Sequence, residues 1–313
     1  MTALKILTPG GFTTVQDRGR FGFQQMGVPV SGVLDTFAFE AANLLVGNDD
    51  TCAVLEITVM GPTLEIRKAM DIALTGAKMG MTLNGQAVEQ WQSIRVKPGD
   101  RLTIAQVQQG CRAYLAVSGG IKVPRVMGSF ATYVGGKIGG FKGRPLAKDD
   151  LLETRDIPLL KQPRILPVEM VPPYPTQALI RVIPGPQDPY FDMDGTPLFN
   201  SDYMVTPKAD RMGYRLQGEA LDILENMPKS IVSEPSMPGS IQVPPDGQPI
   251  ILLVEQTVGG YAKIATVIST DLWKVAQTTP GDTLGFEKID LQTAHHLYEK
   301  NMERINTMKQ LFV

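Results

Sequence analysis

Short apolar or alternating runs, each closed by a glycine, proline or aspartate turn signal and recurring roughly every ten residues, are the dominant pattern of this chain. That spacing leaves no room for the helical crossovers of a parallel sheet, so the pattern points to an all-β barrel or sandwich. In the first half, strands are expected at Leu4–Thr8, Val54–Thr58, Thr63–Ile66, Asp71–Thr75, Ser93–Val96, Arg101–Ala105 and Ala113–Val117. In the second half they are expected at Leu179–Ile183, Tyr203–Thr206, Ser230–Ser233, Ser240–Val243, Ile250–Glu255, Lys263–Ile268 and Thr283–Phe286. Asn84-Gly85 between Met81–Leu83 and Ala87–Val88 reads as a two-residue hairpin turn, because both central positions must accept positive φ.

Two helices interrupt the pattern. Leu34, Phe37, Ala41, Leu44 and Leu45 recur at helical spacing, with Gly47 where a C-terminal cap belongs, so a helix is expected from Leu34 to Val46. From Leu291 onward, Tyr298, Met302, Ile305, Met308 and Phe312 form an apolar stripe suited to docking. Between the halves, Pro158, Pro163, Pro167, Pro172, Pro173 and Pro175 mark a change of composition. The expected organisation is a first barrel over 1–155, a proline-rich linker over 156–176, a second barrel over 177–290 and a terminal helix over 291–313. The halves also share ordered fragments. Asp17-Arg18-Gly19-Arg20-Phe21-Gly22 matches Asp210-Arg211-Met212-Gly213-Tyr214-Arg215, and Pro98-Gly99-Asp100 matches Pro280-Gly281-Asp282, as duplication would produce.

Composition narrows the chemistry. The chain has 313 residues and only two histidines, His295 and His296, adjacent on the terminal segment. Neighbours on a helix point about 100° apart, so this pair cannot chelate as an i, i+4 pair does, and no metal site is expected. Catalysis, if present, therefore falls to carboxylates, Lys, Arg, Tyr, hydroxyls and amides. Thirty basic against 32 acidic residues, without long runs of either sign, argue against nucleic acid as a partner. The apolar run Ile250–Val254 is far shorter than the roughly 20 residues of a membrane span. Cys52 and Cys111 lack metal or redox spacing, and the first residues lack a signal-peptide layout, so a cytoplasmic location is expected.

Three clusters could carry function. Gln16-Asp17-Arg18-Gly19-Arg20, with Ser31 and Asp35 downstream, sets two arginines among glycines, where they could grip a carboxylate or a polarised carbonyl; it reads equally as an internally paired loop, with Asp35 a helix cap. Gly135-Gly136-Lys137-Ile138-Gly139-Gly140, running on to Gly143-Arg144, is not a P-loop, because Ile138 stands where a hydroxyl must reach magnesium; a flexible loop or a backbone-rich ligand loop remains. The third comprises Ser233-Glu234, Gly239 to Pro244, and Glu255-Gln256-Thr257-Val258-Gly259-Gly260-Tyr261, which could line a small polar pocket at a barrel mouth or form an ordinary hairpin.

These segments, with Ala42-Asn43-Leu44-Leu45-Val46-Gly47-Asn48, Gly128-Ser129, Pro184-Gly185-Pro186-Gln187, Asp210 to Leu216 and Gly239-Ser240-Ile241-Gln242-Val243-Pro244, resemble the KipA-type family. That family comprises the C subunits of ATP-dependent 5-oxoprolinases, also described as allophanate hydrolase subunit 2, and related carboxyltransferase domains of urea carboxylases. The resemblance runs along nearly the whole chain. It implies tandem cyclophilin-like β-barrels with a few helices. It also implies a KipI-type partner (the 5-oxoprolinase B subunit) together with an A subunit, and ring opening of 5-oxoproline to glutamate with ATP handled by the complex. No Ala-Met-Lys-Met segment is present, so biotin would have to come from another chain. The family pattern departs at Val254, where an Asp is usual, at Ala262 in place of Pro, and at Phe130 in place of Arg.

On this reading Arg18, Gln256, Tyr261 and Lys263 form the expected catalytic set, with Lys263 the weaker candidate because a strand lysine is more often solvated. Arg20, Ser31, Arg144, Arg211, Gln242, Thr257, Gly259 and Gly260 form the expected set for binding a small amide. The alternative is a non-catalytic regulator that binds a KipI-type partner.

Overall fold

The structure, a computed structural model, describes residues 2–193 and 195–312. Its contacts divide the chain into two units. One holds the described residues up to Arg20, Ser31–Tyr174 and those from Ile305 onward; the other holds Phe21–Val30 and Pro175–Arg304.

The first unit is an antiparallel sheet of ten strands: β1 (Thr2–Thr8), β2 (Phe12–Gln16), β3 (Val54–Thr58), β4 (Thr63–Ile66), β5 (Met70–Leu83), β6 (Gln86–Ala87), β7 (Ile94–Val96), β8 (Arg101–Val117), β9 (Ile121–Lys122) and β10 (Leu151–Thr154). Alternation and turn signals place β3 and β4 at their expected bounds. The fragments expected at 71–75 and 81–83 are one strand, β5, and those at 101–105 and 113–117 are another, β8. The two pair along their length through three register shifts beginning at Gly76, so the period-2 pattern fails in the middle although pairing continues. There Gln90 replaces missing ladder partners: its Oε1 accepts from Met79 N at 2.9 Å and its Nε2 donates to Ala77 O at 3.0 Å.

Helix α1 (Thr36–Leu45) starts where Asp35 accepts a hydrogen bond from Ala38 N at 3.0 Å, the capping role open to it from sequence. Val46 ends it, with Gly47 following at φ +75°. Its apolar face packs with Ala73, Tyr114 and Ala116, and with Ile305 and Met308 of the terminal helix. The proline-rich stretch up to Tyr174 packs into this unit instead of running free as a linker. Leu160 N donates to Asp71 Oδ2, Ser93 N to Arg164 O and Leu166 N to Trp91 O, while Leu166 is buried beside α1. Backbone groups bonded to a sheet edge are no longer available for a flexible connection.

The second unit contains a closed barrel. Its strands are β11 (Gln177–Pro184), β12 (Tyr203–Ala209), β13 (Gly213–Gln217), β15 (Ser240–Val243), β16 (Ile250–Leu252), β18 (Ala262–Val267) and β19 (Thr283–Lys288). Around the barrel the order is β11-β18-β15-β16-β13-β12-β19, all neighbours antiparallel except β11 and β19. Alternate residues fill the inside: Val205, Tyr214, Leu216, Ile241, Val243 and Ile251 are all buried. A separate ribbon pairs β14 (Glu234–Pro235) with β17 (Val258–Gly259). Residues 230–233, expected as a strand, are irregular, and the strand expected to reach Glu255 stops at Leu252.

Helices α2 (Leu272–Ala276) and α3 (Leu291–Gln310) complete the chain. The two sheets differ in strand order, although Asp17 and Asp210 each stand directly after a strand, β2 and β12. The halves also share turn chemistry: Asp100 Oδ2 accepts from Lys97 N at 2.8 Å, and Asp282 Oδ2 accepts from Thr279 N at 2.7 Å. Among the described residues no helix is long and apolar enough to cross a membrane.

Candidate functional site

Register builds the site. On the barrel, Arg215 of β13 lies opposite Ile250 of β16, Ile250 opposite Gln242 of β15, and Gln242 opposite Lys263 of β18. Directly opposed residues point to the same face, so Arg215, Ile250 and Gln242 form one row across three strands, while a register shift between Ile241 and Gln242 interrupts the pairing with β18. The intervening Tyr214, Ile241 and Ile251 fill the barrel, so the row lies on its outer wall and not at the mouth, the position expected from sequence.

Over this wall lies a cleft of about 470 Å³ lined by Arg215, Ile250, Leu252 and Gln242, with Gln256 and Tyr261 from the segment around β17 and Lys208 from β12. Gln242 is the pivotal group. It is 4% exposed, and its Nε2 has no hydrogen-bond partner among the described residues. A buried amide N–H left without a partner carries a desolvation penalty of about 1–3 kcal/mol, which an acceptor atom of a ligand would relieve. Gln256 Nε2 donates to Val258 O, bracing the ribbon, and Tyr261 is 39% exposed at the cleft edge. Thr257 O accepts from Ser236 N at 3.0 Å, and Gly260 O accepts from Ile231 N at 2.9 Å, so both serve the ribbon through their backbone. Gly259 stands against the Gln242 amide.

Lys263, expected as a base, stands behind the row instead of in the cleft. Its side chain is buried, with Nζ 2.5 Å from Glu234 Oε1. Gln187 joins them, donating to Glu234 Oε1 at 3.2 Å and accepting from Lys263 N at 3.0 Å. The Lys263 ammonium hydrogen-bonded to it holds the Glu234 carboxyl below its ordinary range. A lysine clamped in this way ties the ribbon to the barrel.

The other expected arginines are engaged by protein groups, although Arg20 Nη1 and Ser31 Oγ are buried without a hydrogen-bond partner among the described residues. Arg211 Nε meets Glu255 Oε1 at 2.6 Å in a largely buried pair. Arg144 grips Asp150 with two bonds of 2.7 Å each. Arg20 is fully buried, donating to Ala131 O at 2.8 Å and Val126 O at 3.1 Å, and burial lowers its pKa. All three arginines thus contact carboxylates or carbonyls of the protein itself. Arg18 is half-exposed and bridges Glu40 and Asp50, each at 2.8 Å. Ser31 is buried at φ +54°, its Oγ unpartnered. Val254 and Glu255 lie in a turn beyond β16, so strand alternation does not govern which way their side chains face.

Arg215 and Lys208 are the cleft residues that sequence reasoning misses. Arg215 stands inside the Asp210–Leu216 motif, and its outward parity beside Tyr214 and Leu216 is the available signal. Lys208 offers none, since it follows Pro207 at an irregular stretch of β12.

A closed barrel and a larger antiparallel sheet, with a small polar cleft on the barrel wall, define a two-unit β protein equipped to hold one small polar ligand. The sequence profile of the carboxyltransferase domain, subdomain A and B, matches residues 26–288, and the chain belongs to that family. It is 40% identical over 294 residues to the 5-oxoprolinase C subunit of Escherichia coli, covering 93% of each chain. It is 34% identical to the 5-oxoprolinase C subunit of Haemophilus influenzae over 98% of both. The crystal structure of the Kluyveromyces lactis urea amidolyase superposes with a TM-score of 0.92 at 33% identity, covering 98% of this chain but only 20% of that one.

Proposed function

We propose that this chain is the C subunit of an ATP-dependent 5-oxoprolinase, and that the barrel-wall cleft holds the lactam. The observation that carries the reading is the buried, unpartnered Gln242 N–H in that cleft, in a chain similar along nearly its full length to subunits of that name. Gln242 donates to the lactam carbonyl, which gains negative charge as water adds to its carbon. Gln256 and Tyr261 form the opposite wall. Ring opening breaks the C–N bond; water supplies hydroxyl to the carbonyl carbon and a proton to nitrogen, giving glutamate.

Hydrolysis of ATP to ADP and phosphate drives the step at a site supplied by partners, a KipI-type protein in the role of B subunit together with an A subunit, in the cytoplasm. No covalently bound cofactor is assigned to this chain, and biotin enters only if another polypeptide carries it. The test is 5-oxoproline-dependent ATP hydrolysis by the purified complex with and without this chain. Turnover should require the chain and fall at least tenfold with Gln242→Ala. Turnover indifferent to the chain would make it a regulator of its partner.

A further inference from the structure

Two cations on the cleft rim are unanswered. Arg215 and Lys208 both line the cleft and are exposed, and neither side chain makes an ion pair or hydrogen bond among the described residues. Three other cations of this unit are paired: Arg181 with Asp271, Arg211 with Glu255 and Lys263 with Glu234. The one carboxylate at the cleft, Asp210, is engaged locally, its Oδ1 accepting from Met212 N at 2.7 Å and Gly213 N at 3.1 Å. The lining thus holds two cations against one carboxylate.

We infer that Arg215 and Lys208 bind a carboxylate of the substrate and restrict the cleft to anionic, amino-acid-derived amides. Arg215 and Gln242 flank Ile250 in the row, so their backbones stand two strand spacings apart, roughly 10 Å. The long Arg215 side chain and the shorter Gln242 amide can converge across Ile250 on a compact ligand, one holding its anionic end and the other its carbonyl. Arginine suits this task because its planar fork meets both carboxylate oxygens, whereas Lys208 adds a point charge. An uncharged amide would satisfy Gln242 and leave both cations unused. The inference rests on the reading of this cleft as the substrate site.

The test compares binding of 5-oxoproline with that of 2-pyrrolidone, the same lactam ring without the carboxylate, to the full chain alone and in its complex. The native protein should prefer the acid by roughly ten- to a hundredfold. Arg215→Gln combined with Lys208→Gln should abolish that preference while leaving 2-pyrrolidone affinity and the thermal midpoint unchanged. Arg215→Lys should keep part of it, and added salt should erode it. Equal affinity of the native protein for the two ligands, failure to bind either, or a preference that survives the double substitution would overturn the inference. If the preference holds but the complex shows no ATP hydrolysis with 5-oxoproline, the carboxylate site stands and the 5-oxoprolinase reading falls.

Discussion

Gly259 and Gln242 are matched in space: a Cβ built on Gly259 would lie 2.1 Å from Gln242 Nε2. The glycine is not there for its backbone, since its φ lies outside the left-handed region and it pairs as an ordinary strand residue with Glu234. Its missing side chain lets the amide stand where it does. Gly259→Ala should therefore displace the amide, cost about 1–3 kcal/mol of stability and lower kcat/KM at least tenfold. In a Gln242→Ala background the same substitution should cost almost nothing, because the clash is gone. Thermodynamic additivity of the two substitutions in denaturant unfolding would refute the coupling.

Arg211 and Glu255 give a second expectation. Both are largely buried, so removing the Glu255 charge takes a short charge-assisted hydrogen bond from a desolvated guanidinium. Glu255→Gln should destabilise the protein by about 3–5 kcal/mol, and pairing Arg211→Met with Glu255→Leu should cost less than that single change. Urea unfolding of the native protein and these two variants checks the order; a milder effect for the single change would place the pair outside the fold's framework.

What can be read from the sequence follows from how local the physics is. β4 and β15 fall at their expected ends because alternation and turns are written within a few residues. The same parity argument fails at Val254 and Glu255, where the chain has already left β16 for a turn. The row Arg215-Ile250-Gln242 joins residues up to 35 positions apart, counting from 215 to 250, and nothing local in the sequence sets their register. Gln242 is legible as a ligand from the segment's resemblance, but its unpartnered N–H and its glycine neighbour belong to the tertiary structure. Lys263 reads from sequence as a solvated lysine or a base; the carboxylate that claims it, Glu234, is 29 residues earlier and reaches it through the ribbon.

That same Glu234 makes the ribbon sensitive to acid. Its carboxyl is held below the ordinary value of 4.5 by Lys263, so the folded state favours the ionised form. The sign follows: a depressed folded pKa contributes stability that is present above about 4.5 and lost as pH falls through the folded value. The stability difference between native protein and Glu234→Gln should thus be full at pH 7 and close as pH drops below about 4.5. A difference that stays constant across that window would remove Glu234 from the latch.

Arg20 tests whether the Gln16–Arg20 motif serves the framework or the ligand. Gln16 Nε2 donates to Thr132 O at 3.1 Å, Asp17 accepts from Ser129 Oγ and Phe130 N, both at 2.6 Å, and Arg20 donates to Val126 O and Ala131 O. Three neighbouring side chains thus pin the segment between Val126 and Thr132. Gly139, at φ +66°, completes the fit, for a Cβ there would lie 2.2 Å from Ala131 O and 2.6 Å from Arg20 Nη2. The glycine-rich loop makes room for an arginine and its carbonyl acceptors, which is why it can resemble a ligand loop in sequence. A lysine has a single head group and cannot reproduce the fork that reaches both carbonyls. Arg20→Lys should cost about 2–3 kcal/mol in unfolding while leaving the KM for 5-oxoproline unchanged in the folded complex. A folded Arg20→Lys protein with native stability and weakened substrate binding would return this arginine to the site.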